Sequence, residues 1–106
     1  HFDITKDIEY TNIAAQSMPD DPYVKSLAGW SLTLQNLPQD AVKLLREAHT
    51  LDGNNLDTGY FLAYTLSQLG LNNEALQVVS QLLDKQTGFT YQKEARALAA
   101  RLKNAS

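Results

Sequence analysis

Cysteine is absent from the 106 residues, which removes disulfides and thiolate metal sites. That absence leaves the compartment open, because a cysteine-free chain folds equally well in reducing or oxidising surroundings. Proline (three) and glycine (five) are sparse. A fold rich in tight turns draws on both, so the shortage favours helices. No apolar run nears the roughly 18 residues that a membrane-crossing helix needs, so direct membrane insertion by this chain is not expected. A basic excess is lacking too: nine Lys and Arg stand against twelve Asp and Glu, for a net charge of −3. A nucleic-acid partner is therefore not expected, since phosphate neutralisation calls for a basic stripe. The opening His1-Phe2-Asp3-Ile4 lacks the basic-then-apolar layout of a secretory leader. What is present is an ordinary balance, 43% hydrophobic and 20% charged. That is too apolar for disorder and long enough for one domain.

The chain carries an internal period. Ala41 aligns with Ala75 at an offset of 75 − 41 = 34. At that offset Leu32 meets Leu66, Leu37 meets Leu71, Trp30 meets Tyr64, Ser31 meets Thr65, Asp40 meets Glu74, Val42 meets Leu76 and Leu45 meets Val79. Small residues recur where two helices must approach: Gly29 and Ala63 on the first helix of each unit, Ala41 and Ala75 on the second. The spacing and residue types resemble the tetratricopeptide helix-turn-helix unit, W-x2-L-G-x2-Y, then A-x3-F, then P. In the first unit Ala28-Gly29, Leu32, Ala41, Leu45 and Ala48 take those places; in the second, Leu62-Ala63, Leu66, Ala75, Val79 and Leu82. The leading Trp is replaced by Lys25 and Gly59, and the closing Pro by Gly53 and Thr87.

That resemblance implies an all-α, right-handed superhelical stack of antiparallel helix pairs in a single domain over 1–106. Complete repeats are expected at 22–55 and 56–89. Residues 4–19 are expected to hold the second helix of a truncated repeat ending at Met18-Pro19, with the rest of a longer tetratricopeptide chain N-terminal to it. Residues 90–103 are expected to form a C-terminal capping helix, with Ala95, Leu98, Ala99 and Leu102 inward and Lys93, Glu94, Arg96, Arg101 and Lys103 in water. Turn chemistry predicts helices near 4–17, 21–35, 38–51, 55–69, 73–86 and 90–103. Their stops and caps are expected at Asp20-Asp21-Pro22, Asn36-Leu37-Pro38, Asn54-Asn55, Gly70, Asn72 and Gly88.

A narrower similarity rests on Leu27-Ala28-Gly29-Trp30-Ser31-Leu32, the run Ala41 to Ala48, Tyr60-Phe61-Leu62-Ala63 and Glu94-Ala95-Arg96-Ala97-Leu98. These resemble the C-terminal end of tetratricopeptide proteins from bacterial exopolysaccharide and PEP-CTERM protein-sorting systems. That likeness implies a periplasmic or outer-membrane-attached scaffold.

Catalytic chemistry has no foothold, and neither a catalytic residue, a metal site nor a cofactor is expected. The five glycines form no phosphate-cradling motif. His1 and His49 are isolated, and Asp20-Asp21 and Asp52 sit where carboxylates cap helices. Asn104-Ala105-Ser106 matches a glycosylation sequon by three residues alone.

The informative residues are aromatic. In the family the groove-facing places on the first helix are the second, fifth, ninth and twelfth of the unit. Here they fall on Tyr23, Ser26, Trp30 and Thr33; on Asp57, Tyr60, Tyr64 and Ser67; and on Tyr91, Glu94, Leu98 and Arg101. Tyr23, Trp30, Tyr60, Tyr64 and Tyr91 are thus the expected ligand-binding residues, partly exposed on one concave face. The alternative is that Trp30 and Tyr64 pack between neighbouring first helices and hold the stack. Two functions follow: a non-catalytic scaffold that binds a protein or peptide segment by shape and aromatic contact, or a scaffold that contacts polysaccharide in export.

Overall fold

The computed structural model describes residues 21–85 and 88–105. Within them are five α-helices and no strand: α1 (Pro22–Leu34), α2 (Pro38–Leu51), α3 (Leu56–Gln68), α4 (Asn72–Asp84) and α5 (Gln92–Ala105). The truncated repeat expected at 4–19 lies outside the described residues. Each helix packs on the next in the chain, and α1 also packs on α3, and α3 on α5. This arrangement of consecutive helix pairs is an all-α tetratricopeptide-type solenoid fragment.

The period of the sequence is visible in the turns. Asn36 and Gly70, one period apart, are the two described residues with left-handed backbone, at φ 64° and 78°. Each reverses the chain after a first helix. The N–H of Leu37 reaches the carbonyl of Leu32 at 2.9 Å, and that of Leu71 reaches Leu66 at 3.0 Å. Asn36 and Gly70 likewise donate to Thr33 and Ser67 at 3.0 and 3.1 Å. This is the six-to-one and five-to-two pairing of a Schellman turn, which satisfies the last carbonyls of the helix.

Two expected caps and one stop are corrected here. The stop is that of α4, which ends at Asp84 with Lys85 as its C-cap, ahead of the expected Gly88. Asn36 closes α1 instead of opening α2, and Asn72 is already the first residue of α4. The residues before α2 and α4, Leu37 and Leu71, make no side-chain cap bond. The Schellman turn has placed an apolar residue there. The starts of α1 and α3 are capped as their chemistry predicts. The Asp21 carboxylate accepts from Tyr23 and Val24, and Asn55, one period later, accepts from Thr58.

Within each pair, small residues set the approach. A Cβ on Gly29 would lie 2.6 Å from Leu45 Cγ and 3.3 Å from the Ala41 carbonyl, so α1 sits on α2 where only glycine fits. In the second unit the matching residues are Ala63 and Val79, both fully buried. One carbon has moved from the second helix to the first, and the total is unchanged. A similar exchange occurs a turn earlier. A Cβ on Gly59 would meet Leu82 Cδ2 at 2.4 Å, while the first unit has the larger Lys25 and the smaller Ala48 at those positions. The Gly29–Leu45 and Ala63–Val79 pairs are alike in volume though not in identity, which close packing demands.

Candidate functional site

The residues that join α1 to α3 decide what is left for binding. Ser26 and Thr33 were expected on the concave face and are corrected by the structure. Both are buried. The Ser26 and Thr58 hydroxyls are 2.8 Å apart, and those of Thr33 and Thr65 are 2.7 Å apart. Each hydroxyl has one proton, so one of Thr33 and Thr65 donates to the other, which in turn donates to the carbonyl one turn back in its own helix, Gly29 for Thr33 or Phe61 for Thr65, and neither is left unsatisfied. Between these polar rungs Trp30 stacks on Phe61, with ring centroids 4.3 Å apart at 13°. The stripe 26, 30, 33 on α1 thus meets 58, 61, 65 on α3, both at helical spacing. Sequence reading overlooked Phe61 and this ladder. The available signal was a pair of Ser or Thr two helical turns apart in both helices, at 26 and 33 and at 58 and 65.

Four of the five expected ligand residues come together. Trp30 lies edge-on to Tyr64 at 5.5 Å and to Tyr91 at 6.3 Å, and Tyr60 stacks on Tyr91 at 5.0 Å and 6°. Tyr60 and Tyr64 are 6.2 Å apart. Such offset and edge-on pairs add attraction beyond the area they bury. Three parts of the fold, α1, α3 and the turn before α5, supply the rings, so the cluster exists only when the stack is formed.

Exposure divides the members. Trp30, Tyr64 and Tyr91 are partly buried and show an outer surface, whereas Tyr60 is 6% exposed. The expectation that Tyr60 is partly exposed is therefore corrected, because Tyr91 covers its ring. Burial, with Tyr64 and Glu94 nearby, holds its phenol above the ordinary tyrosine range, and Arg101 works against that shift. Tyr60 is then a neutral floor for the cluster. Leu98, expected in the groove, is also buried. Tyr23 is 65% exposed and makes no ring contact with the others among the described residues.

Next to the rings the surface becomes polar. Ser67 donates to the Tyr64 carbonyl at 2.6 Å. It lines a shallow cavity with Gln68, Asn72, Arg101 and Leu102. Two ion pairs involve the second helices. Lys25, nearly buried on α1, holds Glu47 of α2, and Arg46 of α2 reaches Glu74 of α4 at 2.9 Å. The hydrogen bond from Lys25 keeps the Glu47 carboxyl below its usual range. Among the described residues no group of three carboxylate, imidazole or thiol side chains is placed to hold a metal. Nor is any described helix long and apolar enough to cross a membrane.

Comparison with known families agrees with this geometry. The family described as tetratricopeptide repeat matches residues 32–102, which include the Schellman turns, the helix pair α3–α4 and most of the aromatic cluster. No curated protein matches the chain.

Proposed function

The chain belongs to the tetratricopeptide repeat family, whose repeats generally mediate protein–protein contacts and act as non-catalytic scaffolds, and on that footing we propose that its aromatic face binds a segment of another protein. The observation that carries the reading is the split in exposure. Trp30, Tyr64 and Tyr91 keep outer edges in water although each ring is already packed against aromatic neighbours. Rigid rings with a polar tip give contact area at low entropic cost, which suits a recognition surface. Tyr60 supports those rings from beneath, and Tyr23 stands apart from them. The partly wet rim of Ser67, Glu94 and Arg101 can take backbone amides or charged groups of a bound segment.

Repeats at 22–55 and 56–89, with α5 as the cap, are part of this proposal. Support comes from the paired turns at Asn36 and Gly70 and the paired caps at Asp21 and Asn55. The finer reading, a role in bacterial exopolysaccharide export or PEP-CTERM sorting, rests on the resemblance of short runs. Polysaccharide is accordingly the competing ligand.

A random peptide library selected on the wild-type chain, and counter-selected on Tyr64→Ala, tests the reading. Peptides that bind the wild type and lose tenfold or more on Tyr64→Ala are expected. Enrichment of none, together with retention of the chain on immobilised polysaccharide, would replace this reading with the polysaccharide one.

A further inference from the structure

The outer face of α5 occupies the register that α1 and α3 each bury beneath a second helix. Counting back one period and then two, Lys93 stands where Gly59 and Lys25 stand, Arg96 where Leu62 and Ala28 stand, Ala97 where Ala63 and Gly29 stand, and Ala100 where Leu66 and Leu32 stand. The packing of α5 keeps that register at Ala95, at the place of Phe61, and Ala99, at the place of Thr65, which are both buried. It departs from it at Leu102, buried where Gln68 and Leu34 are exposed, and at Glu94, exposed where Tyr60 and Ser26 are buried. Yet Lys93, Arg96, Ala97 and Ala100 are all exposed, whereas Ala28, Leu32, Leu62, Ala63 and Leu66 are all buried. Ala97 and Ala100 keep this face of α5 low, as Ala63 does on α3. The same helix holds four of the chain's nine cations and one of its twelve anions.

We propose that this face of α5 docks an acidic amphipathic helix of a partner protein, in the way that α2 docks on α1. The internal precedent specifies the chemistry of that helix. Lys25 pairs with Glu47 of α2, and Lys93, two periods further on, pairs with a carboxylate at the matching place. Gly29 faces Leu45, whereas alanine at this place in the second unit goes with Val79. Ala97 therefore takes a valine-sized side chain. Arg96 provides the selection. It replaces an apolar residue, so a purely apolar helix would bury its guanidinium unpaired, which disfavours such a partner. A helix that brings carboxylates satisfies it instead. The aromatic face plays no part in this contact, so the two readings stand or fall separately.

The probe is a labelled, acetylated and amidated peptide of residues 37–52 carrying Leu45→Val and Arg46→Glu. Saturable binding to the wild-type chain is expected by fluorescence anisotropy, weakened tenfold or more by Lys93→Glu and by Arg96→Glu. Both substitutions are on the surface, so melting temperatures should be unchanged. A peptide with Glu47→Lys should bind Lys93→Glu better than it binds the wild type. Equal binding to the wild type and the Lys93→Glu/Arg96→Glu double variant would show that the peptide exchanges with α2 on α1, and would overturn the proposal. Absence of binding to the wild type would overturn it as well.

Discussion

Trp30 lies flat on Phe61, ring centroids 4.3 Å apart and 13° from parallel, between two buried hydroxyl pairs. This contact joins the first helix of one pair to the first helix of the next. It also fixes which edge of the indole remains for Tyr64 and Tyr91. Stacking thus uses one face of the ring, and under the proposed function its remaining edge would serve recognition.

The fit of Gly29 against Leu45 can be tested by exchanging bulk across it. Gly29→Val should destabilise the chain by about 1–3 kcal/mol through overpacking, although valine forms helix better than glycine. Leu45→Val alone should cost about 1 kcal/mol as a small core truncation. Gly29→Ala with Leu45→Val recreates the Ala63 and Val79 pair, and should be more stable than the sum of its single changes predicts. Urea unfolding of the four species measures the coupling, and strict additivity would refute the compensation.

The Thr33 and Thr65 rung should behave as a pair. Thr33→Val leaves the Thr65 hydroxyl without one of its two partners, and should cost about 1–2 kcal/mol. Thr33→Val with Thr65→Val replaces both groups by an isostere. It should cost clearly less than twice the single change, because no buried polar group is orphaned. A double variant that loses the full sum would mean that the hydroxyls act independently.

Acid should weaken the contact between α1 and α2. The Glu47 carboxyl is held below its ordinary range mainly by the hydrogen bond from Lys25. The folded chain thus binds a proton less readily than the unfolded one, and the resulting stability is present above the usual glutamate range. It is lost as the pH falls through that range towards the lowered folded value. Glu47 is 41% exposed, so screening by solvent and salt keeps the contribution below about 1 kcal/mol. Glu47→Gln should flatten that part of the stability–pH curve, with the difference shrinking in high salt. An unchanged curve would show that the pair adds nothing.

The helices and their pairing were legible in the sequence because its period keeps Ala41 with Ala75, Leu32 with Leu66 and Gly29 with Ala63. Volume and spacing survive there even where identity does not. The caps at Asn36 and Asn72 were misplaced because a Schellman turn and an N-cap use the same residue types within one or two positions. The aromatic members of the surface were legible as a set, but their depth was not. Family positions mark Ser26, Thr33, Tyr60 and Leu98 as groove residues. Whether a side chain there is wet depends on the facing helix, and α3 brings Thr58 and Thr65 to meet Ser26 and Thr33. For Tyr60 the deciding neighbour is Tyr91, which lies beyond α4 in the chain, out of reach of any local pattern around Tyr60.

The most direct measurement of the central claim, that the aromatic cluster is an open recognition surface, is the fluorescence of Trp30, the chain's one tryptophan, during titration with a library-selected peptide. Quenching by acrylamide should be intermediate between that of a free and a fully buried indole. Its emission should shift saturably with peptide, and Tyr64→Ala should abolish the shift while the chain stays folded. Tyr60→Ala should instead cost about 3–5 kcal/mol of stability, as a large-to-small change in a core does. A blue-shifted Trp30 that acrylamide cannot reach, with a Tyr64→Ala variant that unfolds, would assign the whole cluster to the core and contradict the account.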